Sequence, residues 1–400
     1  MKKKISIILS LLILLTSCSR DVIATIDNSE KVFFYYELTS TGEYLMYSFG
    51  LLQYIDLSTG DMTKHVLCAK PNCKHDEDED YCFAFSPEYT KRYLFLYNGE
   101  LYYFMSRGDE KRITHNGLYK AETDGTNQRH IFELEEGFHL SRAYFWNGNL
   151  IFTCLNQEVN DSGHQARNYR IYVYNFKEVS LFFETGLKYD VSIYPFGIIG
   201  NDFYFSYTAR DYFVDIPFEE YFEYVRDESS IYWQDLIVEN RKMPLIQSDP
   251  QNPVYEIIDT GEYSMVLNDS LYYICTDDWK KIYGYNTTTN KTNEIFDSGD
   301  SYIYSLNIFD GKIFVATYDI DGDMQSGNYR LAGNYQMHYY DGSKFVQINM
   351  DSGKKIDVLF ESEEYFFGYD PENMDEFKKM YILKTDYYSG NWDGLIEFEW

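Results

Sequence analysis

Seven times along the chain a turn signal is followed by a run of alternating aromatic and aliphatic residues. The clear copies are "NGELYYF" from Asn98, "NGNLIFT" from Asn147, "NDFYFSY" from Asn201, "NDSLYYI" from Asn268 and "DGKIFVA" from Asp310. Weaker copies stand at "TGEYLMY" from Thr41 and "SEEYFFG" from Ser362. Asn-Gly and Asp-Gly supply the positive φ that a two-residue hairpin needs, so each copy predicts a turn running into a strand. Successive copies are about 53 residues apart, the length of one propeller-type repeat. A second phrase, strand then polar turn then strand, follows most copies, as in "GLYKAETDGTNQRHIFEL" and "QMHYYDGSKFVQINM". The two phrases together make about four strands, which is one blade. The expected fold is therefore all-β, a single propeller of seven four-stranded blades over residues 31–400. The degenerate first and last copies also admit six or eight blades. A pair of β-sandwiches would lack so long a period, and a solenoid would repeat at a shorter one.

The longest interval, between Asn201 and Asn268, carries an expected insertion at about 211–255 in the fourth blade. Asp215 can cap a helix with Pro217, Glu219 and Glu220 in its first turn. Phe218, Tyr221, Phe222 and Val225 share one helical face, which reads as a stripe docked on the blade below. Beyond it, Tyr232 and Trp233 are the weak candidates for ligand-binding aromatics.

The chain opens with a different pattern. Lys2, Lys3 and Lys4 precede an apolar run from Ile5 to Leu15, and "LTSC" ends at Cys18. The run is too short to span a bilayer, and the order of charge, apolar stretch and cysteine is that of a lipoprotein signal. Residues 1–17 are expected to be the signal peptide, Cys18 the lipidated N-terminus and 18–30 a tether. Two acyl chains on Cys18 suffice for stable anchoring. The expected location is the extracytoplasmic face of a bacterial cell membrane, and no later stretch is apolar enough to span it.

Composition and charge narrow the partners. The chain has 42 tyrosines, 19% aromatic residues and a net charge of −29, more negative by three once the leader lysines are gone. Such a surface repels nucleic acid and anionic head groups, so neither is an expected partner. A monomer is expected, held to the membrane by its lipid, with a glycan, peptide or protein as ligand.

Candidate chemistry concentrates in "VLCAKPNCKHDEDEDYCFAF", Val66 to Phe85. Cys154 and Cys275 lie inside strand patterns, where a lone cysteine is usually a small buried hydrophobe. With Cys18 taken by lipid, Cys68, Cys73 and Cys82 remain, an odd number for disulfides. His75 completes Cys-x4-Cys-x-His-x6-Cys, a Cys3His donor set that suits a structural zinc ion. The competing arrangement is one disulfide and a free thiol, which the exported address favours; an unliganded loop is the third. Asp76 to Asp80 read as a solvated tip and not as ligands. Elsewhere "DIDGD", Asp319 to Asp323, reads as a polar hairpin turn, its glycine and twelfth residue being wrong for an EF-hand calcium loop. No phosphate loop, nucleophile elbow or HExxH pattern occurs.

The lipobox, the phrase "LYKAETDGTN" and the phrase "LCAKPNCKHDEDEDYC" together resemble a family of propeller-type lipoproteins from anaerobic Gram-positive bacteria, whose function is generally unassigned. The resemblance implies the propeller and an anaerobic setting that favours metal over disulfide, but no chemistry. The expected function is a non-enzymatic surface module binding a glycan, peptide or partner protein. The alternative is a surface polysaccharide lyase or hydrolase with its site at the channel mouth.

Overall fold

The structure is a computed structural model describing residues 33–35, 38–40, 44–47, 51–60, 62–68, 73–75, 82–84, 89–109, 112–146, 148–159, 165–210, 236–245, 249–260, 265–268, 270–274, 279–323, 328–348, 354–371 and 379–397. The fold is almost all-β, a series of small antiparallel sheets in which every strand pairs with its neighbour in the chain. The first sheet runs from β1 (Phe33–Tyr35) and β2 (Leu38–Ser40) to β5 (Lys64–Val66), and the second from β6 (Tyr89–Tyr97) to β9 (Arg129–Glu133). The third, seven-stranded, starts at β10 (His139–Trp146) and ends at β16 (Glu256–Ile258). Three four-stranded sheets follow, opening with β17 (Met265–Leu267), β21 (Tyr302–Phe309) and β25 (Asp357–Glu361). These sheets resemble propeller blades.

The expectation of uniform four-stranded blades needs correcting. The seven-stranded sheet exists because β13 (Val179–Ile199) does not break where a blade should end. Its first part, to Lys188, pairs with β12 (Gln165–Tyr174), and its second, from Tyr189, with β14 (Asp202–Arg210). One long strand thus closes one four-stranded meander and opens the next. Within the expected insertion, Ile237–Pro244 form β15 and pair with β14. The predicted helix, Tyr232 and Trp233 lie outside the described residues, as do Cys18 and Cys275.

Hairpin turns behave largely as the dipeptides dictate. Asn98 and Gly99 both take positive φ, 50° and 73°, the requirement of a type I′ turn. The turn before β14 falls one residue earlier than expected, at Gly200-Asn201. Only Gly200 takes positive φ there, so a glycine in first position selects the II′ form. "DIDGD" is not a turn: it is the end of β22 (Lys312–Asp323), and Asp319 there accepts from Ser301 Oγ at 2.8 Å and Asn334 Nδ2 at 3.1 Å.

The alternating pattern separates not core from solvent but one core from the next. In β11 (Asn149–Val159), Leu150, Phe152 and Cys154 pack with Phe95, Tyr102 and Phe104 of the preceding sheet. Ile151, of opposite parity, packs with Phe203 and Phe205 on the other side. In β22, Phe314 and Ala316 face Ile356 and Phe366, whereas Ile313 and Val315 face Ile282. β11 and β22 are thus buried on both faces, which is why the repeats are rich in Tyr and Phe instead of alternating apolar with charged. The last seam joins the two ends of the series. Leu45, Ile55 and Leu57 of the first sheet share a core with Phe360, Phe367 and Tyr381 of the last. The series closes on itself, and β1 lies against both β10 and β25.

Candidate functional site

The Cys3His loop joins the first two sheets, between β5 and β6. Its two ends are fastened to one residue: Leu67 N–H donates to Leu52 O at 3.1 Å, and Leu52 N–H donates to Ala84 O at 2.8 Å. This clamp sets Cys68 and Cys82, fourteen positions apart, beside each other. His75 takes a positive φ of 57°, uncommon for a side-chain-bearing residue. Phe83 and Ala84 are buried with Met46, Leu52 and Leu67 of the first sheet and Leu94, Leu101 and Tyr103 of the second. Gly125, at φ 81°, passes so close under Phe83 that a Cβ there would collide with the ring.

One ligand atom from each of Cys68, Cys73, His75 and Cys82 lies within 4.8 Å of all the others. Cys82 Sγ is 3.8 Å from Cys68 Sγ and 3.3 Å from His75 Nδ1. A tetrahedral zinc ion at about 2.3 Å from sulfur and 2.0 Å from nitrogen requires S···S of about 3.8 Å and S···N of about 3.5 Å. The four residues therefore fit a zinc ion, and the sulfur separation is nearly twice a disulfide bond. None of the three sulfurs is in a disulfide in this structure, nor is that of Cys154, buried in β11 as the sequence predicts, with burial pushing its thiol pKa up. Zinc held by four protein ligands would act structurally, stapling the first two sheets, with no position left for substrate. Beside Cys68 an open cavity of about 420 Å³ is walled by Tyr44, Tyr54, Met46, Leu96 and Leu101. Asp76 to Asp80 lie outside the described residues.

Lys91, in β6, borders this centre. Its side chain is buried, its ammonium donates to Phe83 O at 3.0 Å and lies 5.0 Å from the Phe83 ring centroid. Burial pushes its pKa down to about 8, and the nearby Cys82 sulfur works in the opposite direction.

A second cluster was not visible in the sequence. Asp357, the first residue of β25, is 3% exposed, and its carboxylate accepts from Tyr335 Oη at 3.1 Å and from the Tyr369 hydroxyl. Burial raises its pKa to about 6 against the pull of those two phenols. Tyr318 packs on Tyr335, with ring centroids 4.9 Å apart, and on the partly exposed Tyr304 at 5.1 Å. These residues come from five strands, and no local motif announces them. Another buried acid, Glu361, accepts Asp310 N–H with both oxygens and pairs with Lys384 at 2.6 Å.

No protein-family model matches the chain, and no curated protein sequence matches it. Among solved structures it aligns with an acylaminoacyl peptidase bound to a chloromethyl ketone at 10% identity and TM-score 0.48, over 94% of this chain and 53% of that one. It aligns with the β-propeller domain of the Trilobed protease from Pyrococcus furiosus at 10% identity and TM-score 0.45, over 89% of this chain and 94% of that one. A puromycin hydrolase aligns at 10% identity and TM-score 0.47, over 91% and 53% of the respective chains. The chain spans about half the length of the first and third of these. Against the expectation of a non-enzymatic module, the aligned structures named here are peptidases and a hydrolase; at 10% identity the likeness is one of fold.

Proposed function

We propose that this chain is a lipid-anchored, extracytoplasmic β-propeller of seven blades that acts as a hydrolase or lyase on a surface polymer, with its site toward the channel. The blade count is supported by dividing β13 at Lys188, which turns the seven-stranded sheet into two meanders sharing one strand. The address is supported by the leader and Cys18.

The observation that carries the catalytic reading is Asp357. Among the described residues it is the carboxyl that its surroundings hold up to about 6. A carboxyl so placed stays partly protonated near neutral pH and can donate to a leaving oxygen. Asp357 opens β25, the strand that lies against β1, and Tyr304 continues the same tyrosine cluster outward to solvent. In this reading Asp357 is the general acid, and Tyr335 and Tyr369 hold it in place.

The test is turnover by the purified protein against a panel of polysaccharides and peptides, repeated with Asp357→Asn. Activity that falls about 10²- to 10⁴-fold in kcat with little change in KM supports the assignment. Absence of turnover across the panel, or an Asn variant as active as the parent, overturns it.

A further inference from the structure

Lys91 is buried in a way its immediate partners do not balance. Its residue is 8% exposed, yet its partners among the described residues are a backbone carbonyl, an aromatic face and the field of Cys82. No carboxylate pairs with it among those residues. Taking an ammonium out of water costs several kcal/mol, and one neutral acceptor offsets little of that. The carbonyl that binds it belongs to Phe83, next in the chain after Cys82, so the charge sits against the cysteine centre.

The charge that would balance it depends on what the centre holds. Three neutral thiols carry none, and a disulfide with one thiol carries none. A divalent ion with three thiolates and a neutral imidazole carries −1, and an adjacent ammonium brings the buried assembly to zero. We propose that Lys91 is the charge-compensating partner of a divalent thiophilic ion held by Cys68, Cys73, His75 and Cys82. It acts through the ligands: its ammonium orders the Phe83 carbonyl and stabilises the anionic thiolate form around Cys82. The inference rests on the zinc reading of the loop and adds a residue from the next sheet to it, so that metal binding and the docking of β6 support each other.

The experiment is zinc titration of the full chain by chelator competition, with thermal unfolding measured in the zinc-loaded and zinc-free states. Lys91→Met keeps the apolar stem and removes the charge; Lys91→Arg keeps the charge. Removal of the charge should weaken zinc binding about 10- to 100-fold, as losing an outer-shell partner typically does, and Arg should restore most of it. The rise in Tm on adding zinc should shrink in Lys91→Met, whereas a purely structural role would lower both states equally. Should Lys91→Met not fold, Lys91→Gln is read in the same way. Zinc affinity within twofold of the parent in a charge-removed variant overturns the role of Lys91. A parent chain that takes up no zinc overturns the metal reading itself, a separable result.

Discussion

At the residue scale, chemistry rests on side chains whose surroundings change their ordinary behaviour. His75 supplies the nitrogen of the Cys3His set from a backbone conformation of positive φ. His75→Ala removes one ligand without touching a thiol, so zinc content should fall from about one per chain toward none and Tm should drop with it. Metal analysis with and without a strong chelator checks this; an unchanged metal content in the variant would exclude His75 from the site. Asp357 gives a pH prediction whose sign follows from its raised pKa of about 6. The native state keeps its proton over an interval in which the unfolded chain, titrating at about 4, has lost it. Its contribution to stability is therefore full below about pH 4 and is lost as pH rises through about 6. The loss amounts to about 2–3 kcal/mol. Asp357→Asn should gain on the parent by that amount between pH 4 and pH 7 in urea unfolding, and a constant difference would refute the assignment.

At the element scale, strands pair locally, but their meaning lies at the seams. The type I′ turns, the alternation and the second strand of each repeat are legible in the sequence because they depend on residues a few positions apart. The seam between the last two sheets depends on Asp310, Glu361 and Lys384, which are far apart in the chain. Lys384 Nζ lies 2.6 Å from the buried Glu361 carboxylate and 3.5 Å from Asp310 Oδ1, and Lys312 pairs with Asp310 at 2.6 Å. Lys384→Met leaves a buried carboxylate without its closest cation and should cost about 3–5 kcal/mol. Restoring stability with Glu361→Gln in the same chain would show that the cost lies in the stranded charge. The Cys3His loop is the element-scale counterpart between the first two sheets, where Gly125 must stay without a Cβ to admit Phe83.

At the scale of the whole molecule, closure of the sheet series is the organising fact. Leu45 and Ile55 from the beginning share a core with Phe360 and Phe367 from the end, so neither terminal sheet leaves an apolar face exposed there. Anchoring through Cys18 is the proposal at this scale. Cys18→Ser should release the protein from the membrane fraction into the medium or leave it uncleaved, with no diacylglycerol on its N-terminus. Detergent partitioning and mass spectrometry of the N-terminus read the outcome, and a variant that still carries lipid would remove the anchor.

The sequence by itself determined the strand-rich repeat, the hairpin turns at Asn98, Asn201, Asn268 and Asp310 to within a residue, and the four donors of the metal centre. Each of these depends on short-range chemistry: alternation, positive φ and donors gathered within fifteen positions. Only the tertiary structure decided that the Cys82 and His75 ligand atoms lie 3.3 Å apart, that Lys91 stands behind them, and that both faces of β11 are buried. It also decided that β13 runs unbroken through two meanders and that Asp357 meets Tyr335 and Tyr369. The reason is physical: seam contacts join residues through the packing of whole sheets, and neither a period nor a motif records which parity of strand faces which neighbour.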